Sequence, residues 1–217
     1  MKIIITGATG LVGEGVLLVC LDHAQVSEVL MINRRPHRLK HPKLKELIVE
    51  DFSLINQHSD ILKDYDGCFF CAGASSVGES EESFTKKTYD FVVPFAEQLS
   101  IINSEMTFIY VSGSRTDNSE QGKVMWARVK GKTENALLKL PFKAVYNFRP
   151  GFMKPVKGQQ NVRFIYRIFE ALYPVWLLIL PDWACKMEEV GTAMINCVSR
   201  GYSKNILEVA DIKKQAK

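Results

Sequence analysis

The chain begins with a β-branched run that turns straight into glycines. Lys2-Ile3-Ile4-Ile5-Thr6 is followed by Gly7-Ala8-Thr9-Gly10-Leu11-Val12-Gly13, and an apolar helical pattern covers Leu11–Leu21. Glycines spaced G-x-x-G-x-x-G between a strand and a helix restrict the fold more than any other stretch of this sequence. The first permits a tight turn, the second lets backbone approach a pyrophosphate, and the third lets the helix pack closely on the strand. Free N–H groups and the dipole at the helix start then hold the negative charge. Gly7, Thr9, Gly10, Leu11, Val12 and Gly13 are therefore cofactor-binding candidates. The alternative, a plain glycine-rich turn, leaves the strand–turn–helix context unexplained.

Beyond the turn, β-rich runs alternate with longer helical patterns. Val29–Asn33, Leu47–Asp51, Gly67–Ala72, Phe108–Ser112 and Lys143–Phe148 read as strands, and Glu82–Asn103 and Lys123–Lys139 as helices. This alternation predicts an α/β, doubly wound parallel-sheet Rossmann fold. With 217 residues and no linker-like stretch, residues 1–217 are expected to form a single domain. Within it, 151–204 is expected to be a small helical region covering the substrate, followed by a short strand at Ile206–Val209. That region contains an aromatic-rich amphipathic stretch, Phe164–Leu180, and a helix near Val190–Arg200. The plain reading of Phe164–Leu180 is a helix with its apolar face on the cleft; the sharper one is an apolar acceptor pocket or a patch for a partner or membrane surface.

Composition excludes several classes. Hydrophobic residues at 47% and charged residues at 24% are inconsistent with disorder, collagen or coiled coil, and a net charge of +4 is too small to imply nucleic acid. Cysteines at 20, 68, 71, 185 and 197 are odd in number and lack a disulfide framework, which predicts reduced thiols in a cytoplasm. Cys68 and Cys71 bracket two phenylalanines in a strand, where a thiol acts as a small hydrophobe. No export signal is visible, and the most apolar window, Tyr173–Pro181, is too short to cross a bilayer. The four histidines have no zinc-type partners, so no metal is expected.

Thr6-Gly7-Ala8-Thr9-Gly10-Leu11-Val12-Gly13 resembles the cofactor turn of extended and atypical short-chain dehydrogenases/reductases. The resemblance continues through Cys71-Ala72-Gly73, Tyr110-Val111-Ser112-Gly113-Ser114, Val129-Lys130-Gly131 and Phe148-Arg149-Pro150-Gly151, over nearly the whole chain. Within that superfamily the sequence is most similar to the Tat-interacting-protein 30 group of NADPH-binding proteins, and more distantly to NmrA-like proteins. The resemblance implies that Asp51 and Phe52 sit beside the adenine, that Cys71, Ala72 and Gly73 line the middle of the cofactor, and that Pro150 and Gly151 lie under the nicotinamide.

The second strand candidate ends Met31-Ile32-Asn33-Arg34-Arg35, where a chain selective for NAD would offer an acid to the ribose. Planar, permanently charged Arg34 and Arg35 suit a 2′-phosphate, so NADP(H) is expected over NAD(H). A solvated basic loop is the other reading, because residues 34–45 also carry Arg38, Lys40, Lys43 and Lys45.

The superfamily's working set is Ser, Tyr and Lys, the last two four residues apart on one helical face. Ser114, with Ser112 as second choice, matches the serine, and Lys130 matches the lysine. Trp126 stands where the tyrosine belongs. An indole N–H donates a hydrogen bond but gives up no proton at ordinary pH, which removes a contribution of about 10²–10⁴ in rate. Trp126 also reads as a packing aromatic. Three functions stay open: a reductase whose flavin, quinone or similar acceptor draws its proton from water; a non-catalytic NADPH-sensing regulator that contacts another protein; and an epimerase- or dehydratase-type enzyme with an unrecognised acid. The expected partners are a small-molecule substrate or acceptor and a protein in the regulatory case, with the chain a monomer or homodimer.

Overall fold

A computed structural model of the chain describes residues 1–162 and 183–217. β1 (Lys2–Thr6) is the axis of the sheet, with Ile3, Ile4 and Ile5 fully buried as they alternate between its two faces. It pairs in parallel with β2 (Glu28–Asn33) on one side and β4 (Gly67–Phe70) on the other. β3 (Leu44–Ile48), β5 (Thr107–Val111), β6 (Ala144–Arg149) and β9 (Ile206–Glu208) complete a seven-stranded sheet in the order β3-β2-β1-β4-β5-β6-β9. Every pairing is parallel. The order reverses between β1 and β4, and a crevice opens there at the carboxyl ends of the strands.

Helices cover both faces, as parallel sheets require. On one face Ile3, Ile5, Val29, Met31 and Phe69 pack under α1 (Leu11–Asp22) and the helix Met187–Arg200. On the other, Ile4, Leu30, Phe70 and Phe108 meet Val92, Phe95 and Leu99 of α4 (Tyr89–Ile102). Aromatic contacts tie that layer together, with Phe52 stacked on Phe91 at 5.0 Å and Phe70 edge-on to Phe95 at 5.3 Å.

Several boundaries differ from the sequence reading. The third strand lies at Leu44–Ile48, not Leu47–Asp51, because its register with β2 begins at Val29 opposite Leu44. The fourth stops at Phe70, freeing Cys71 and Ala72 for the crevice. The long helix expected over 82–103 is two helices, α3 (Glu81–Lys87) and α4, broken at Thr88 with φ −122° and ψ −76°. A 3₁₀ turn (Phe52–His58) running into the short α2 (Ser59–Leu62), a two-stranded parallel pair of β7 (Phe152–Lys154) with β8 (Ala184–Lys186), and a C-terminal helix (Val209–Gln215) were not anticipated. Within the 151–204 region, the helix Met187–Arg200 packs in the main layer beside α1, and Phe164–Leu180 lies outside the described residues.

Candidate functional site

The glycine turn is built by close approach. Gly7 has φ +72°, and a Cβ there would stand 2.5 Å from the Ala72 backbone nitrogen. A Cβ at Gly13 would stand 2.1 Å from the Gly7 carbonyl oxygen, so the start of α1 seats directly on the turn. The Gly10 N–H donates to the Gly7 carbonyl at 2.9 Å, and the first helical bond runs from the Glu14 N–H to the Gly10 carbonyl. The N–H groups of residues 11–13 precede that bond and are left without intrahelical partners at the helix start.

Three adjoining cavities follow the strand ends. One of about 610 Å³ is bounded by Thr9, Asn33, Arg34, Arg35 and Glu50. The next, about 560 Å³, shares Thr9, Asn33 and Arg34 and adds Gly7, Gly10, Phe52, Cys71, Ala72, Gly73, Lys86, Lys87 and Phe91. The third, about 710 Å³, shares Thr9, Gly10, Cys71 and Gly73 and adds Leu11, Val12, Ser75, Ser112, Lys130, Met153 and residues 160–162. Along this course guanidinium groups stand at one end, a turn that no Cβ could share in the middle, and an ammonium at the far end.

The far end is electrostatically unusual. Lys130, on α5 (Met125–Leu137), donates its Nζ hydrogen bond to the Ser112 backbone carbonyl, and desolvation pushes its pKa down to about 8 against the opposing pull of Glu134. Glu134 is fully buried and accepts from Arg149 at 2.5 and 3.0 Å, Asn118 at 2.9 Å and the Ser112 hydroxyl at 2.5 Å. Burial also holds the Cys71 thiol up at about 12, and Cys68 well above the usual range, as unreactive groups.

The crevice thus gathers Gly7, Thr9, Gly10, Leu11, Val12, Arg34, Arg35, Phe52, Cys71, Ala72, Gly73 and Lys130, with Gly13 supporting the turn from behind. Other candidates fall outside its walls. Asp51 is exposed and caps the 3₁₀ turn by accepting from Ser53 N–H at 2.9 Å and Ser53 Oγ at 2.7 Å, bonds that lower its pKa. Ser112, not Ser114, lines the third cavity, while the Ser114 N–H donates to the Pro150 carbonyl at 3.2 Å. Gly151 is needed for packing, since a Cβ there would lie 2.1 Å from the Trp183 carbonyl oxygen. Trp126 occupies the first turn of α5, partly buried, and lines none of the three cavities. Sequence reasoning missed Lys86, Lys87, Phe91 and Glu50, along with Ser75, Met153 and residues 160–162. The basic pair Lys86-Lys87, following the fourth strand, was the signal available for the first two.

The strand order and the helices on both faces define an α/β protein with a Rossmann-type sheet, the architecture shared by short-chain dehydrogenase and sugar-nucleotide epimerase structures. Among solved structures, MoeE5 in complex with UDP-glucuronic acid and NAD superposes with a TM-score of 0.69 at 15% identity, over 100% of this chain and 81% of that one. A short chain dehydrogenase family protein from Francisella tularensis gives 0.61 at 15% identity, over 92% and 91%. The Helicobacter pylori ADP-L-glycero-D-manno-heptose-6-epimerase gives 0.67 at 14% identity, over 97% and 78%. Identities this low establish the fold alone. Among curated proteins, Protein FMP52, mitochondrial, from the yeast Meyerozyma guilliermondii is 24% identical over 154 residues, which are 70% of this chain. That match spans 65% of the yeast protein, a little under two thirds of its length. No family model matches the chain. Among the described residues no helix is long and apolar enough to cross a membrane.

Proposed function

We propose that the chain is an NADP(H)-dependent oxidoreductase of the atypical short-chain dehydrogenase type, acting on an acceptor that takes its proton from water. The observation that carries this reading is one cleft with Arg34 and Arg35 at its adenosine end and Lys130 at its reaction end, joined through Thr9 and Gly10. When bound, the nicotinamide supplies a hydride.

Each remaining part of the work falls to side chains and backbone of this chain. Arg34 and Arg35 hold the 2′-phosphate by charge-assisted bonds, and the N–H groups of residues 11–13 hold the pyrophosphate. Lys130, steadied by the Ser112 carbonyl, offers its remaining N–H groups to the nicotinamide ribose. No phenol stands four residues before Lys130, and the Ser112 hydroxyl is committed to Glu134. A flavin or quinone, protonated from solvent, is therefore a better acceptor than a simple carbonyl. The same two observations favour the regulatory reading as runner-up. The epimerase-type reading is weakest, since it needs an acid that these residues do not offer.

Several structures of similar fold are described as complexes with NAD, and Glu50 beside Arg34 is the kind of group that accepts from ribose hydroxyls. Cofactor choice is accordingly the first thing to test. Fluorescence titration with NADPH and NADH is expected to show NADPH binding at least about tenfold more tightly, as one charged hydrogen bond provides. Tighter NADH binding overturns the preference, and no binding of either overturns the function. All five cysteines are free, which fits a reducing compartment such as the cytoplasm. The chain would act as a monomer or homodimer.

A further inference from the structure

The first turn of α1 does more than receive phosphate. Glu14, one turn beyond Gly10, is only 7% exposed although it carries a carboxylate. Both its oxygens are taken by backbone from the other end of the chain: the Gln160 N–H donates at 2.8 Å and the Asn161 N–H at 2.7 Å. Next to it, the Gln159 side-chain amide donates to the Leu11 carbonyl at 2.6 Å, while its oxygen accepts from the Val156 N–H at 3.3 Å. The adjoining residue is Gly15, where a Cβ would lie 2.9 Å from the Gln159 oxygen and 2.4 Å from Met187, so the space Gln159 fills exists because that side chain is missing.

These bonds fasten residues 159–161 beside the third cavity, where Gln160 and Asn161 form walls with Leu11, Val12 and Lys130. A carboxylate in a first helical turn is favoured by the dipole, and its bonds to two backbone N–H groups are of the strong, charge-assisted kind. The loop would otherwise present unpaired amides at the cavity's edge.

We propose that Glu14 is the positioning residue for the acceptor side of the reaction cavity, holding Gln160 and Asn161 against the cofactor helix so that acceptor wall and phosphate turn share one rigid support. This rests on the proposed reductase function. Apart from Lys130, the described walls of that cavity carry no charge, so the acceptor it suits is neutral and oxygen-bearing, a quinone in preference to a sugar nucleotide.

The test combines proteolysis with a split of kinetic constants in the full chain. Trypsin cuts after Lys157, an exposed residue two positions before the fastened segment. Glu14→Gln is expected to raise cleavage there about tenfold, the scale of losing charge-assisted bonds. With menadione as the quinone probe, its KM should rise severalfold while the dissociation constant for NADPH stays within about twofold, and Glu14→Asp should recover part of both losses. Gln159→Ala, which loosens the loop by removing its bond to the Leu11 carbonyl while leaving every residue of α1 in place, should raise cleavage and menadione KM in the same direction. Unchanged cleavage in both variants overturns the clasp. Faster cleavage with unchanged menadione KM, or with weakened NADPH binding instead, overturns its role toward the acceptor. A wild-type chain that binds no NADPH sinks the reductase reading, and the acceptor role with it, a result told apart from the others by the cofactor titration alone.

Discussion

Lys130 and Glu134 stand one turn apart on α5, yet they are not an ion pair. The Glu134 carboxylate is turned to Arg149, with a closest approach of 2.5 Å, and the Lys130 ammonium is tied to the neutral Ser112 carbonyl. A buried cation with a neutral partner keeps its desolvation cost, and this explains why Lys130 falls to about 8 even with a carboxylate nearby.

That pairing sets a pH dependence. Between about 8 and the ordinary 10.5, the unfolded chain holds the Lys130 proton and the folded chain does not. Stability therefore rises with pH through this window, and below it the folded state bears the full cost of the buried charge. Lys130→Met, which cannot titrate, is expected to lack the rise. Thermal melts across the window should show the advantage of the Met variant shrinking as pH increases; a constant difference contradicts the assignment.

Arg149 neutralises a carboxylate that has no access to water, since Glu134 is 0% exposed. Arg149→Met should cost roughly 3–5 kcal/mol in urea unfolding, because it leaves that charge without its counter-ion. Adding Glu134→Leu should recover much of the loss. A double variant no better than the single one would place the cost in packing.

Arg34 and Arg35 should govern cofactor choice and little else. Replacing both with alanine is expected to weaken NADPH binding about tenfold or more while leaving NADH within about threefold, since only the 2′-phosphate is lost as a partner. Equal loss for both cofactors, measured by titration, would mean that the arginines serve the common part of the ligand.

Trp126→Tyr restores a phenol four residues before Lys130 on the same helix. Because position 126 lines none of the three cavities, the variant is expected to gain much less reduction of small carbonyls than the about 10² that a positioned acid contributes. A gain of about 10² or more in a carbonyl-reduction assay would contradict this and show that only the proton donor is missing.

The sequence revealed the parts of this molecule that are local. Lys2–Thr6 and the turn behind it are legible because Gly10 and Gly13 are dictated by contacts inside one strand–turn–helix unit, Gly13 against Gly7 above all, and Gly7 by the turn's own positive φ. The third strand was displaced because it lies at the sheet edge, where Lys45 and Glu46 interrupt the apolar pattern and charge is normal. The break at Thr88 was invisible since helical periodicity runs through both sides of it. β7 and β8 are three residues each, too short for periodicity, and meet only through tertiary structure. The site divides in the same way. Arg34 and Arg35 follow directly from the end of β2, whereas Lys86, Phe91 and Gln160 reach the cleft from separate elements, and no spacing in one chain announces that. Ser112 and Glu134 lie in unconnected parts of the sequence and only the fold joins them.

The most direct test of the central claim is a nicotinamide fluorescence trace. Protein loaded with NADPH is mixed in turn with flavins, quinones and small carbonyls. The account predicts loss of signal with a flavin or quinone, little with carbonyls, and a slower loss in Lys130→Ala. Firm NADPH binding with no loss for any acceptor would contradict it and leave a cofactor-sensing protein in its place.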